Sequence, residues 1–184
     1  MRLVNYFLVA ASTAVFIAFG WGFFVHFRRI GGPRPGMLAM VGLTVIALAG
    51  QVAEEWPNRK LPWFAWAALP VYAASAALWS WTVQATRAEP PALAFSQSTP
   101  ERLLTHGPFR YIRHPFYTSY SLFWIGGVAA SFHWRAWLPA LLIIAMYAYT
   151  AWTEERGLAA GRLGAAYAAY RARTGMFLPR LNPR

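Results

Sequence analysis

The sequence predicts an all-α integral membrane protein with about five transmembrane helices and a C-terminal amphipathic helix on the cytoplasmic side. Three observations predict it. Only 12% of the 184 residues are charged, while 58% are hydrophobic, and soluble domains carry about twice that share of charge. The apolar residues gather in runs near the ~20 residues that a helix needs to cross a bilayer. The 17 Lys and Arg, against 6 Asp and Glu, fall between those runs and fall unevenly on the two sides.

The first run, 3–27, is too long for a signal-peptide core, and no small-residue cleavage site precedes a polar start. Arg28 and Arg29 stop it, and GGPRPG (31–36) reads as a turn. The second run is 36–53. EEWPNRKLP (54–62) follows as a short polar turn, in which Glu54 and Glu55 are expected to pair with Arg59 and Lys60. The third run is 63–83. Residues 84–113 form the longest polar piece, rich in Pro, Ser and Thr. The fourth run, 115–130, is short for a span. SFHWR (131–135) makes the next turn, and the fifth run, 136–152, meets Glu154 and Glu155 at its end. The remainder, to Arg184, is basic and partly helical. No internal repeat or second domain is visible, so residues 1–184 read as one domain, with three spans in 1–83 and the polar motifs in 84–184.

Lys and Arg collect on the cytoplasmic side of a membrane protein. With five spans, one side holds only Arg2, Arg59, Lys60 and Arg135; the other thirteen cations lie opposite. The N-terminus is thus expected outside and the C-terminus in the cytoplasm. The net charge of +11 then faces anionic lipid rather than nucleic acid. Sixteen of the seventeen cations are Arg, and Ala and Pro are abundant. That bias suits GC-rich coding and points to a bacterial inner membrane. There is no cysteine, which excludes disulfides, thiolate catalysis and Cys-ligated metals. His26, His106 and His133 have no metal-ligand spacing with His114, and no metal is expected. No GxSxG, Walker or GxGxxG pattern occurs.

Two constellations carry chemistry. GPFRYIRHPFY (107–117) is the most polar stretch between two apolar runs. Proline is favoured at the first position of a helix and pushes the preceding residue out of helical geometry. Pro115 therefore opens the fourth span, with His114 held at its mouth. The free N–H groups of the first turn favour an anion there. Arg110 and Arg113 strengthen that preference, and Gly107-Pro108 lets a ligand approach the backbone closely. A positive-inside loop before a Pro-started helix accounts for the same residue types. The second constellation is Glu154-Glu155. At a helix C-terminus two carboxylates oppose the helix dipole, so a cationic partner is expected beside them. Arg156, the arginines of the first stretch, a cationic ligand or simple solvation all meet that need. Beyond them, Ala159, Leu163, Tyr167 and Tyr170 recur at helical spacing among Arg162, Arg171 and Arg173, the pattern of an amphipathic helix on a membrane surface.

At these constellations the chain resembles the integral-membrane methyltransferases typified by isoprenylcysteine carboxyl methyltransferase, with the phospholipid N-methyltransferases as relatives. The family pattern is G-P-[YF]-R-x-x-R-H-P-x-Y, a hydrophobic hairpin, an E-E pair, then L-x-x-x-[FL]-G-x-x-Y-x-x-Y and a late proline. Here it reads Gly107-Pro108-Phe109-Arg110, Arg113-His114-Pro115-Phe116-Tyr117, Glu154-Glu155, Leu163-Gly164, Tyr167, Tyr170 and Pro179. The match covers residues 100–181, under half the chain. Ser119 stands where the family often has Gly, and Ala166 where it often has an acid; both leave the substrate more open than the cofactor.

The resemblance implies S-adenosyl-L-methionine as cofactor and a lipophilic small molecule or lipid as methyl acceptor, entering from the bilayer. It makes 84–184 the cofactor-binding half. The implied cofactor-binding residues are Gly107, Pro108, Phe109, Tyr111, Arg113, His114, Pro115, Tyr117, Glu154 and Glu155. The cofactor's carboxylate suits Arg113-His114-Pro115, its ammonium and ribose hydroxyls suit the two glutamates, and Phe109, Tyr111 and Tyr117 are candidates to face its adenine or sulfonium. Glu155 and His114 are the catalytic candidates, needed where the acceptor is an amine or phenol rather than a carboxylate. Arg110, Tyr167, Tyr170 and Arg171 are the acceptor-side candidates. Two other readings stay open: a nicotinamide-dependent membrane reductase of the sterol or enoyl type, some of which carry a similar R-H-P-x-Y string, and a non-catalytic membrane subunit.

Overall fold

The structure is a computed structural model, describing residues 2–28, 35–56, 60–91, 102–131 and 133–180. Parts of the turns expected at 31–36, 54–62 and 131–135, and of the polar stretch 84–113, lie outside the described residues, Arg59 among them. The described residues are helical, with one isolated bridge and no strand. The helices are α1 (Arg2–Trp21), α2 (Pro35–Glu55), α3 (Ala68–Ala85), α4 (Pro115–Ser131), α5 (Trp134–Ala160) and α6 (Gly164–Arg173).

Three stretches are long and apolar enough to cross a membrane: Leu3–His26, Pro35–Glu55 and Trp134–Ala160. Between them lie α3 and α4, and α4 touches α1, α2, α3 and α5. A helix shielded by neighbours can carry polar atoms that find partners inside the bundle. Ser75 on α3 does so, donating to the Ser119 carbonyl of α4 at 2.7 Å. Such residues lower the hydropathy of α3 and α4; α4 is largely covered by its neighbours, while α3 keeps an exposed side that includes Trp81. The core centres on Phe123, Tyr72, Leu8 and Ile143, all wholly or almost wholly buried.

Local sequence sets the element ends. α1 continues into a π-turn, Gly22–His26, closed by Phe27 N–H on the Gly22 carbonyl at 3.1 Å. A β-carbon on Gly22 would come within 2.7 Å of the Trp79 ring, so glycine permits that close approach. The π-turn leaves His26 buried, its Nε2 2.8 Å from the Thr86 hydroxyl at the end of α3. α2 and α4 both begin on proline, where the missing N–H costs nothing. His133 caps α5, its Nδ1 accepting from Arg135 N–H at 3.2 Å.

Two sequence expectations change here. The fifth run does not stop at the glutamates: α5 continues to Ala160, so Glu154 and Glu155 lie within a helix rather than at its end. The opposing dipole is therefore weaker than the sequence implied. Glu55 makes no ion pair among the described residues and is instead wholly buried among neutral side chains of α1, α2 and α3.

Candidate functional site

The two constellations meet. Pro115 begins α4 as expected, and α5 runs back antiparallel beside it, bringing Glu154 and Glu155 to the α4 mouth. Arg113 Nε donates to Glu155 Oε1 at 2.7 Å and Nη2 reaches Oε2 at 3.4 Å, with both side chains about 8–9% exposed. This is a fork-on-carboxylate pair, the strongest geometry available to arginine. The remaining arm, Nη1, donates to the Thr174 carbonyl. His114 Nε2 lies 3.2 Å from the same Glu155 Oε1, and its Nδ1 is 3.7 Å from Glu154 Oε2. Tyr117 donates its hydroxyl to Glu154 Oε1 at 2.8 Å.

Adjacent in sequence, the two glutamates thus differ in kind. Glu155 is buried and committed to Arg113 and His114. Glu154 is exposed and lines a cavity. The sequence suggested that Arg113 would hold a ligand's anion; in the folded chain its charge is already answered by Glu155 and its third donor arm by main chain.

The helix mouth is also occupied by the chain itself. Arg113 N–H donates to the Gly175 carbonyl at 2.8 Å, His114 N–H to Met176 at 3.1 Å, and Gly175 N–H back to Tyr111 at 3.1 Å. Thr118 Oγ1 lies 3.0 Å from the Phe177 carbonyl. Residues 174–177 therefore form a strap across the mouth, with Ile112 and Gly175 in a parallel bridge. A β-carbon on Gly175 would sit 1.8 Å from the Leu178 carbonyl oxygen, so the strap's tight return demands glycine.

α6 locks the other flank. Tyr170 donates to the Phe109 carbonyl at 2.7 Å. Burial pushes its phenol up to about 12, which keeps that donor proton in place. Tyr167 is buried too, which likewise raises its phenol, and its hydroxyl lies beside Glu155 and Arg113 without the alignment of a well-formed hydrogen bond. The expected stripe divides: Tyr167 and Tyr170 turn inward against the protein, Leu163 lies at the α6 boundary, and Ala159 is exposed near the end of α5.

A cavity of about 500 Å³ begins at this cluster and runs between α1, α2, α4 and α5. Its polar end holds Arg113, His114, Tyr117, Glu154, Tyr167 and Tyr170, with Phe109 and Pro115 beside them. Its length is apolar and aromatic, from Phe16, Phe19 and Phe23 on the α1 side to Met40 and Val45 on α2. Other predicted residues stand apart. Gly107 adopts φ 56°, and a β-carbon there would meet that of Ala85 at 2.7 Å, so the close approach it permits is to α3 rather than to a ligand. Pro108 is buried behind it. Arg110 and Tyr111 are exposed and outside the cavity lining, with Tyr111 beside Trp81 at 6.2 Å. Arg171 lines a separate shallow groove with Arg180.

Sequence reasoning missed Tyr120 and Tyr147. Tyr147 stacks on Tyr117 at 5.6 Å between centroids, and Tyr120 lies 5.7 Å from Tyr147. Both line the cavity below the polar end. Tyr147 lies two turns before Glu154 on the same helix face, a spacing that could have found it. No family model, curated protein or solved structure matches this chain.

Proposed function

We propose that this protein is a membrane methyltransferase that uses S-adenosyl-L-methionine to methylate a lipophilic small molecule or lipid at the cytoplasmic face of a bacterial inner membrane. In this reading five helices span the bilayer, with α3 and α4 as the two shielded spans, the N-terminus outside and the site inside. One observation carries the proposal: a single cavity joins a polar, charged end to a long apolar interior between helices. Such a cavity suits a water-soluble cofactor at one end and a bilayer-borne acceptor at the other.

The residues at the polar end fit that cofactor. Glu154 is a cavity-facing carboxylate able to accept from an ammonium or from ribose hydroxyls, and Tyr167 adds a buried hydroxyl at the same end. Tyr117 and Phe109 line the same end and supply aromatic rings beside which a cation is favoured. The cofactor supplies a methyl group bonded to positively charged sulfur, which a nucleophile can take. Arg113 acts as a positioning residue, holding Glu155 and the 174–177 strap. With Nε2 donating to Glu155, a neutral His114 ring carries its acceptor nitrogen, Nδ1, on the Glu154 side. A carboxylate acceptor arrives ionised and needs no base. An amine or phenol gives its proton to His114 Nδ1. Alignment of the two reactants within the cavity can lower the barrier by about 7–11 kcal/mol in favourable cases.

Heat stabilisation of the purified protein tests the reading. S-adenosylhomocysteine is expected to raise the melting temperature and NADPH to leave it unchanged. The reverse result would favour a membrane reductase, and no response to either would favour a non-catalytic subunit. His114→Ala and Glu154→Gln are each expected to weaken S-adenosylhomocysteine binding about tenfold or more, the scale of one lost hydrogen bond to a charged group. Unchanged binding would remove that residue from the site. Labelled cofactor incubated with a host lipid extract would then identify the acceptor.

A further inference from the structure

At the end of the bundle opposite the polar end of the cavity, α2 closes on a wholly buried Glu55. Its Oε1 accepts from the Tyr72 hydroxyl at 2.6 Å and from the Gln51 amide at 3.3 Å. Its Oε2 lies 2.9 Å from Ser12 Oγ. Gln51 spends its other amide hydrogen on the Tyr72 oxygen at 2.8 Å. Asn5 donates to the main-chain oxygens of Glu55 and Trp56 at 3.1 and 3.0 Å. Glu55, Gln51, Tyr72, Ser12 and Asn5 are each at most 5% exposed. They join α1, α2 and α3, and α4 makes room for them with two glycines. A β-carbon on Gly127 would sit 2.2 Å from Gln51 Oε1, and one on Gly126 would sit 2.7 Å from the Tyr72 ring.

The chemistry of this cluster is unlike that of the site. Among the described residues no Lys, Arg or His pairs with Glu55, and Tyr72 is the one titratable side chain that hydrogen-bonds it. A lone carboxylate charge in a packed apolar interior is among the costliest groups to bury. Hydrogen counting points the same way. Ser12 has one hydroxyl hydrogen and two oxygens in reach, Glu55 Oε2 at 2.9 Å and the Val9 carbonyl at 3.2 Å. A hydrogen on Oε2, donated to Ser12 Oγ, frees the Ser12 hydrogen for Val9. Each contact of Glu55 with Tyr72, Gln51 and Ser12 is then a donor–acceptor pair.

We infer that Glu55 is a neutral carboxylic acid in the folded protein, donating from Oε2 to Ser12, and that it serves as a hydrogen-bonded clasp fastening α1, α2 and α3 together. The clasp is independent of the methyltransferase reading. Infrared spectroscopy of the full-length protein in detergent at neutral pH tests it. The wild type is expected to show a protonated-carboxyl C=O band that Glu55→Gln removes. Ser12→Ala, which deletes the acceptor, is expected to move that band. Glu55→Gln keeps a neutral group able to donate to Ser12, so its melting temperature is expected to stay near wild type while that of Glu55→Ala falls. A wild-type spectrum without such a band overturns the inference, as does a band unaffected by Ser12→Ala. A Glu55→Gln protein that melts as low as Glu55→Ala overturns it too. Should Glu55→Gln fail to fold, the wild-type and Ser12→Ala spectra still decide.

Discussion

Arg113 is a side chain that the sequence offers to a ligand and that the fold claims for itself. Its neighbours in sequence, His114 and Pro115, mark a helix mouth, and the sequence reading therefore offers its charge to a ligand. The fold spends that charge on Glu155 and its third donor arm on Thr174. Removing one member of a buried ion pair leaves the other charge stranded, at a cost of about 3–5 kcal/mol. Arg113→Ala is thus expected to lower unfolding stability by roughly that amount and to loosen residues 174–177. Denaturation in detergent measures the first effect, and faster hydrogen exchange at Gly175 the second. Glu154→Gln loses a single hydrogen-bonded carboxylate that is part exposed and is expected to melt close to wild type. That contrast between adjacent glutamates could not be read from the letters E-E. It depends on which face of α5 each occupies once α4 is packed beside it.

The helices themselves were largely legible. Apolar run length located α1, α2 and α5, and the proline rule located the first residue of α4. The extension of α5 to Ala160 is not legible, because adjacent charges at the end of an apolar run read as a stop signal. Inside the fold that charge has partners, so the helix runs on. Glycine tests the packing between elements. Gly127→Ala drives a β-carbon into Gln51 on α2 and is expected to cost about 1–3 kcal/mol, the range for overpacking a tight core. Gly107→Ala combines a left-handed backbone with contact on Ala85, and the backbone alone costs about 1–2 kcal/mol. Gly42, whose β-carbon would meet nothing within 4 Å, is the control: Gly42→Ala is expected to leave melting unchanged or slightly raised.

At the scale of the whole molecule, the distribution of charge makes a topological prediction. The chain lacks native cysteine, so single introduced thiols report cleanly on sidedness. Trp56→Cys, at the exposed end of α2, is expected to react with an impermeant reagent applied to intact cells. Ala165→Cys, on the outer face of α6, is expected to react after permeabilisation alone. Labelling of both without permeabilisation would refute the placement of these two positions on opposite sides of the bilayer. Hydropathy by itself marks three crossing helices. α3 and α4 fall outside that set, and what holds them in the bundle, such as the Ser75 bond to the Ser119 carbonyl, is visible only in the packing.

What the sequence by itself determined is the helical class, the membrane-length runs, the placement of charge between those runs and the position of two polar motifs at the two ends of one hairpin. These follow from composition, spacing and the fixed backbone habits of proline, all of which are local. Only the tertiary structure decided that Arg113 is answered by Glu155, that Glu154 faces the cavity, that 174–177 cross the helix mouth and that Glu55 sits sealed among Tyr72, Gln51 and Ser12. Those outcomes depend on which groups are removed from water together. Burial turns an ordinary charge or hydroxyl into one that must find a partner, and the partner is chosen by helices far apart in the chain.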